Sequence, residues 1–213
     1  MKRVINLDNW NKKRAILNSS RLSIVPVFGE LLRLLISQAY IKQSKNMEVF
    51  FFLYSVYFLL KCINATTAFK LRIENGEVVE YDKINISPTI GREDGTFGFG
   101  FFEYDTDLSL FIENAEKEIH RVKNSAGLSF SKDTARADVI RYSALPWFAF
   151  SEMKHAGSIQ TGDSIPKIST GKLIQEKKKL LLPISISVHH GLVDGRNIAE
   201  FIQNLKDGQN NTL

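Results

Sequence analysis

Two adjacent histidines, His189 and His190, close the alternating apolar run "PISISVHH", and after three further residues come Asp194 and Gly195. Imidazole is the side chain whose ordinary pKa lets it take up and release a proton near neutral pH, so a histidine at a cleft can serve as a general base. Two readings of the pair stand at this point. One makes His190 a catalytic base, and the other makes both histidines packing residues at a strand terminus. Successive strand residues point to opposite faces, so the two cannot chelate one metal ion from the strand. No cysteine or third histidine lies at ligand spacing, and a zinc site is not expected. The geometry offers one inward-facing and one cleft-facing imidazole before a sharp turn. Gly195 lends that turn backbone freedom, and Asp194 gives it a fixed negative charge.

The elements that must hold these residues follow from periodicity and punctuation. "NLDNWNKKRAILNSS" reads as a short strand and then a helix capped near Asp8, and "GELLRLLISQAYIKQ" as an amphipathic helix. "VFFFLYSVYFLLKC" (Val49 to Cys62) is too short to span a bilayer and reads as a buried helix of about three to four turns. In "AFKLRIENGEVVEY" the pair Asn75-Gly76 separates two alternating runs and signals a tight hairpin. "TFGFGFFEY" alternates as a strand, and "TDLSLFIENAEKEIHRVKN" is a helix with Thr106 or Asp107 as its N-cap. "RYSALPWFAFSEM" is an aromatic strand broken by Pro146, and "HAGSIQTGDSIP" is a loop. "KLIQEKKKLLLPISISVHH" makes two strands joined by the solvated run Lys177 to Lys179, and "RNIAEFIQNLKDG" closes the chain as a helix ending near Gly208. These elements predict an α+β fold: a two-layer sandwich with a mixed, mainly antiparallel sheet and helices packed on one side.

Totals bound the rest. The 213 residues, with 44% hydrophobic and 24% charged, suit one compact domain over 1–213. No linker, repeat or low-complexity stretch divides them. A net charge of +5 is spread too thinly for a nucleic-acid footprint, and no membrane segment is expected. The one cysteine, Cys62, excludes an intrachain disulfide and suits a reducing cytoplasm, and the polar N-terminus carries no signal peptide. The sequons at Asn64 and Asn85 are discounted as chance matches. His120, in a charged helix, and His155, in a Gly/Ser-rich loop, read as surface residues.

The pattern His-His-x-x-x-Asp-Gly after an apolar strand resembles the signature of the acyl-CoA-dependent acyltransferases. Length, and the placement of the motif near the C-terminus, point within that superfamily to the chloramphenicol acetyltransferase family. "SALPWFAF" (Ser143 to Phe150) is similar to that family's "SALPW" strand. "IPKISTGKL" followed by "LLLPISISVHHGLVDG" is similar to its C-terminal block without a gap. "ENGEVVEYDKI", "TFGF" and the opening "NW" match in order, so the resemblance runs along nearly the whole chain.

What the resemblance implies is direct acetyl transfer from acetyl-CoA to a hydroxyl acceptor such as chloramphenicol, with no acyl-enzyme and no permanently bound cofactor. His190 would be the base, Ser143 the hydrogen-bond donor to the oxyanion, and Asp194 the residue that pins the loop. Ser169 stands where the family has a threonine that helps hold a water, and Lys172 where a lysine can meet the coenzyme phosphates. Phe97 matches a pocket phenylalanine, although an ordinary core aromatic is an equal reading of it. Family members are homotrimers with sites between subunits, which would set His190 of one chain against a wall containing Ser143 of the next.

Several positions depart from the family pattern. The arginine that pairs with the motif aspartate falls near Trp10, where this chain has Lys12 and Arg14, either of which could face Asp194. Asn18 and Ser19 stand where the family shows an aromatic pair, and Arg196 and Asn197 replace an aromatic residue and a histidine. The alternatives are therefore an acetyltransferase of another hydroxyl compound, or a non-catalytic small-ligand-binding protein on the same fold.

Overall fold

The computed structural model describes residues 1–6, 21–29, 47–151, 153, 163–176 and 179–210. The helix expected after Asp8, the amphipathic helix of residues 29 to 43 apart from Gly29, and most of the loop from His155 fall outside them. In chain order the elements are β1 (Lys2–Val4), β2 (Arg21–Gly29), α1 (Met47–Ala65), a 3-10 turn (Thr67–Lys70), β3 (Leu71–Glu74), β4 (Glu77–Tyr81), β5 (Asn85–Gly91) and β6 (Phe97–Phe99). There follow α2 (Leu108–Lys123), β7 (Val139–Ala144), β8 (Lys167–Thr170), β9 (Ile174–Glu176), β10 (Lys179–His189) and α3 (Gly195–Asn210).

A small sheet of order β1-β4-β3 is separate from a larger one of order β2-β10-β8-β7-β5-β6, with β9 added along β10. Among the described residues only β5–β7 and β7–β8 are parallel, so the large sheet is mixed and mainly antiparallel. The crossover from β5 to β7 carries α2, as a parallel pair requires. This is the predicted α+β architecture. No described helix is long and apolar enough to cross a membrane.

Local chemistry explains the boundaries. Asn75 and Gly76 both take positive φ, 51° and 81°, which a two-residue hairpin with the native strand twist needs. The carboxylate of Asp107 accepts hydrogen bonds from Ser109 N (2.8 Å) and Leu110 N (3.0 Å), which makes it, rather than Thr106, the cap of α2. His120, Arg121 and Lys123 fill the last turn of α2, where positive charge suits the helix dipole. The seam between α1 and the sheet is closed by one side chain: Asn64 donates to Leu60 O and Ile84 O, each at 2.9 Å, and accepts from Ile84 N at 2.8 Å. That engagement, and the enclosure of Asn85, suit neither asparagine to carry a glycan.

The core lies between the helices and one face of the large sheet. Leu53, Val56, Leu60 and Ile63 of α1 are fully enclosed, and Phe52 packs its ring 6.2 Å from that of Tyr142 on β7. Phe201 of α3 meets Phe69 at 4.9 Å. The opposite face of the sheet is different. Successive residues alternate sides, so this face receives Thr89, Ser143, Ser169, Ser185 and Ser187.

Three sequence expectations are adjusted. "TFGFGFFEY" forms a strand only over Phe97–Phe99, and Phe102 adds one bridge to Ile86. The β7 strand stops at Ala144, before Pro146, and α3 continues past Gly208 to Asn210. Strands β2, β5 and β8 were not marked by periodicity at all.

Candidate active site

Strand β10 lies inside the large sheet and ends at His189. The chain then turns tightly: Leu192 N and Val193 N both donate to His189 O, at 2.9 and 3.0 Å. Leu192 and Val193 are buried, and His190 is exposed at the apex. The far side of the turn is fixed by α3. Asp194 Oδ1 accepts from Asn197 N at 3.0 Å, Asn197 Oδ1 accepts from Asp194 N at 3.1 Å, and Ile198 N donates to Asp194 O at 3.0 Å. Asp194 is thus the N-cap of α3, and the pair forms a reciprocal capping box. Its carboxylate also sits where the helix dipole favours negative charge. Lys12 and Arg14, the sequence-derived partners of Asp194, are outside the described residues.

Ser143 belongs to a row of matched positions across the sheet. It pairs with Ser169 on parallel β8, and Ser169 pairs with Ser185 on antiparallel β10. On its other side Thr89 of β5 brings its hydroxyl to 3.4 Å from Ser143 Oγ. Thr89 in turn faces Phe99 on β6. Directly paired residues share a face, so Phe99, Thr89, Ser143, Ser169 and Ser185 form one line. Ser169 is only 1% exposed, and Ser185 Oγ donates to Met153 O at 3.1 Å, while Ser143 stays half-buried.

Phe97 lies two residues along β6 from Phe99, on the same face as Ser143. It is 46% exposed, with its ring edge-on to Phe99 at 5.8 Å, and is not a core aromatic. Phe99 stacks in turn on Phe130 at 5.4 Å. Arg92 holds this edge by donating to Phe97 O (2.8 Å), Thr96 Oγ1 (3.1 Å), Val122 O (2.9 Å), Gly127 O (2.9 Å) and Ser129 Oγ (2.7 Å). Gly98 is required beneath it, because a Cβ there would come within 2.7 Å of Arg92 Nη2 and 2.6 Å of Ser129 Oγ.

Lys172 lies just past β8, exposed, with its backbone N donating to Phe148 O at 2.8 Å. Its side chain is thus a solvent-reaching cation on a fixed backbone. Behind the row, on the helix side, Tyr142 shares a 2.6 Å hydrogen bond with Thr170, and burial pushes its phenol up to about 12. That hydroxyl is a neutral structural group at physiological pH.

Ser143, Ser169 and Phe97 therefore share one sheet face, and His190 and Asp194 sit at the far end of β10. Strand register sets the separation. Ser185 lies two strands from Ser143, about 10 Å away, and His190 is five residues further along, about 16 Å. Strand spacing alone thus sets the Cα positions of His190 and Ser143 in one chain about 19 Å apart, farther than side chains that share one substrate atom would stand. Two further residues adjoin these groups. Thr89 was missed and gave no signal, whereas Asn197 was noted as a departure from the family pattern and not as the partner of Asp194, its Asp-x-x-Asn spacing being an unusual form of capping box.

The model of the chloramphenicol acetyltransferase family matches residues 2–206. Chloramphenicol acetyltransferase 3 of Escherichia coli is 28% identical over 159 residues, 74% of each chain. A chloramphenicol acetyltransferase of Clostridioides difficile is 27% identical over 207 residues, covering 95% of this chain and 93% of that one. Among solved structures, a chloramphenicol acetyltransferase superposes with a TM-score of 0.80 at 24% identity, covering 97% of this chain and 99% of the other. A probable dihydrolipoamide acetyltransferase from Listeria monocytogenes shares the fold at a TM-score of 0.62 and 11% identity, over 92% of this chain and 86% of the other. A strand-end imidazole, a serine strand and a match of this extent lead to one conclusion: the chain belongs to the chloramphenicol acetyltransferase family.

Proposed function

We propose that this protein transfers the acetyl group of acetyl-CoA to the hydroxyl of a small acceptor such as chloramphenicol, in a crevice where two copies of the chain meet. The observation that carries this reading is the intact histidine turn, which holds an exposed His190 imidazole between two hydrogen-bonded anchors. His190 takes the acceptor's proton as the oxygen attacks the thioester carbonyl. The tetrahedral intermediate then collapses, the carbon–sulfur bond breaks, and the proton passes from the imidazolium to the departing thiolate. Ser143 donates to the oxyanion, an interaction made chiefly in the transition state. Ser169 helps hold a water beside it, and Lys172 meets the coenzyme phosphates. Phe97 forms part of the acceptor wall, and Asp194 holds the loop.

The 19 Å gap supports a site shared between subunits. A base and an oxyanion donor that far apart in one chain must be completed by the complementary groups of another, and a closed homotrimer satisfies this with one kind of interface. The chain departs from the family pattern at Asn18, Ser19, Arg196 and Asn197, which favours as a second reading the acetylation of another hydroxyl compound. The experiment is thiol release from acetyl-CoA by the purified protein, with chloramphenicol and with a panel of hydroxyl acceptors. Release abolished by His190→Ala supports the reading. No release with any acceptor from the folded protein overturns it.

A further inference from the structure

The turn that presents His190 runs over five residues, from His190 to Asp194, and is tied at both ends. At its start His189 O accepts two backbone amides, from Leu192 and Val193. At its end Asp194 and Asn197 close a ring of two hydrogen bonds, one through each side chain. The Asn197 side chain is enclosed, with the residue 4% exposed, so its oxygen cannot swing away to water. Leu192 and Val193 anchor the same segment by burying their side chains. The backbone under His190 is left with little freedom to rotate.

We infer that Asn197 is a positioning residue for His190: its side-chain oxygen, holding Asp194 N, fixes the turn that aims the imidazole. The inference rests on the proposed role of His190 and goes beyond it, because it assigns this chain's own replacement of the family histidine a task in the reaction. Asp194 caps the helix through its carboxylate, but that bond fixes Asn197 N, inside α3. The return bond from Asn197 holds the amide of Asp194, inside the turn. Without that acceptor the last residue of the turn can roll about its φ angle, and the imidazole moves with it. A displacement of about 1 Å at a reacting group costs on the order of 100-fold in rate.

The test compares Asn197→Leu, which keeps the volume and removes the acceptor, with Asn197→Asp, which restores an acceptor oxygen at the same reach. Thiol release from acetyl-CoA is followed on full-length protein, with folded fractions matched by circular dichroism. The expected result is a 10- to 100-fold fall in kcat for Asn197→Leu with KM for acetyl-CoA held near the parent value, and recovery in Asn197→Asp. Amide exchange at Leu192, Val193 and Asp194 should quicken in the first variant and not in the second. A parent-like kcat and parent-like exchange in Asn197→Leu overturn the inference, as does a loss of kcat that Asn197→Asp fails to recover. If the parent protein releases no thiol while folded, the functional reading has failed, and the lock is judged by exchange alone. Faster exchange confined to Asn197→Leu then supports it, and unchanged exchange overturns it.

Discussion

The hydroxyl of Ser143 stands 3.4 Å from that of Thr89, across the parallel seam between β5 and β7. A serine hydroxyl has one proton to give and several directions in which to give it. A threonine fixed on the neighbouring strand limits those directions, and its stiff β-branched χ1 keeps the partner in place. Ser143→Ala should lower kcat on the order of 100-fold or more with little change in KM, because the oxyanion bond proposed for it would be made in the transition state. Thr89→Val, which keeps the shape, should give a smaller loss in the same parameter. Steady-state thiol release settles both, and an unchanged kcat in Ser143→Ala would remove the oxyanion role.

The distance between His190 and Ser143 within one chain makes a mixing prediction. His190→Ala and Ser143→Ala proteins should each be severely impaired alone, yet regain activity when denatured together and refolded. Random assembly joins an intact His190 to an intact Ser143 at about a quarter of the interfaces of a cyclic oligomer. Recovery near that share would show that the site is built by two chains. Activity that stays at the level of the separate variants would confine the site to one chain.

Arg72 is fully buried and donates to four carbonyls: Phe69 O, Ala137 O and Val139 O at 2.8 Å each, and Leu71 O at 2.7 Å. Burial draws its guanidinium down to about 10, still protonated at neutral pH. One side chain thereby binds the small sheet to the first residue of the strand carrying Ser143. Arg72→Met keeps most of the length and leaves those oxygens without their charged donor, which should cost on the order of 3 kcal/mol in chemical denaturation. Arg72→Lys should recover only part, because an ammonium lacks the planar fork.

Cys62 lies in the core of α1, and burial pushes its thiol up to about 12. The thiolate is the reactive form, so the native protein should stay unlabelled by an aromatic disulfide reagent over a full assay and label with one equivalent after denaturation. Rapid labelling of the native state would contradict the packing around α1.

The three helices among the described residues and the motif were legible in the sequence for specific reasons. Asp107 and the Asn75-Gly76 pair announce themselves through rules of capping and turn formation that act within a few residues. The histidine turn is equally local. Strands β5 and β8 escaped notice because Ser87, Thr89 and Ser169 look solvent-facing by periodicity, whereas the structure encloses Ser87 and Ser169. An enclosed hydroxyl face breaks the usual link between polarity and exposure on which such reading depends. Pro26 likewise obscured β2, which pairs with β10 across a register shift at Ile184 to Ile186. The line from Phe99 to Ser185 depends on the pairing of five strands, which no short window of sequence contains.

The placement of His190 and Ser143 at opposite reaches of one sheet has a consequence for inheritance. Each chain would lend its imidazole to one crevice and its hydroxyl to another, so a chain altered at only one of these residues disables one crevice and leaves the other it serves intact. A cell carrying both versions should then lose turnover only in proportion to the altered protein, and two versions altered at different residues should partly restore one another.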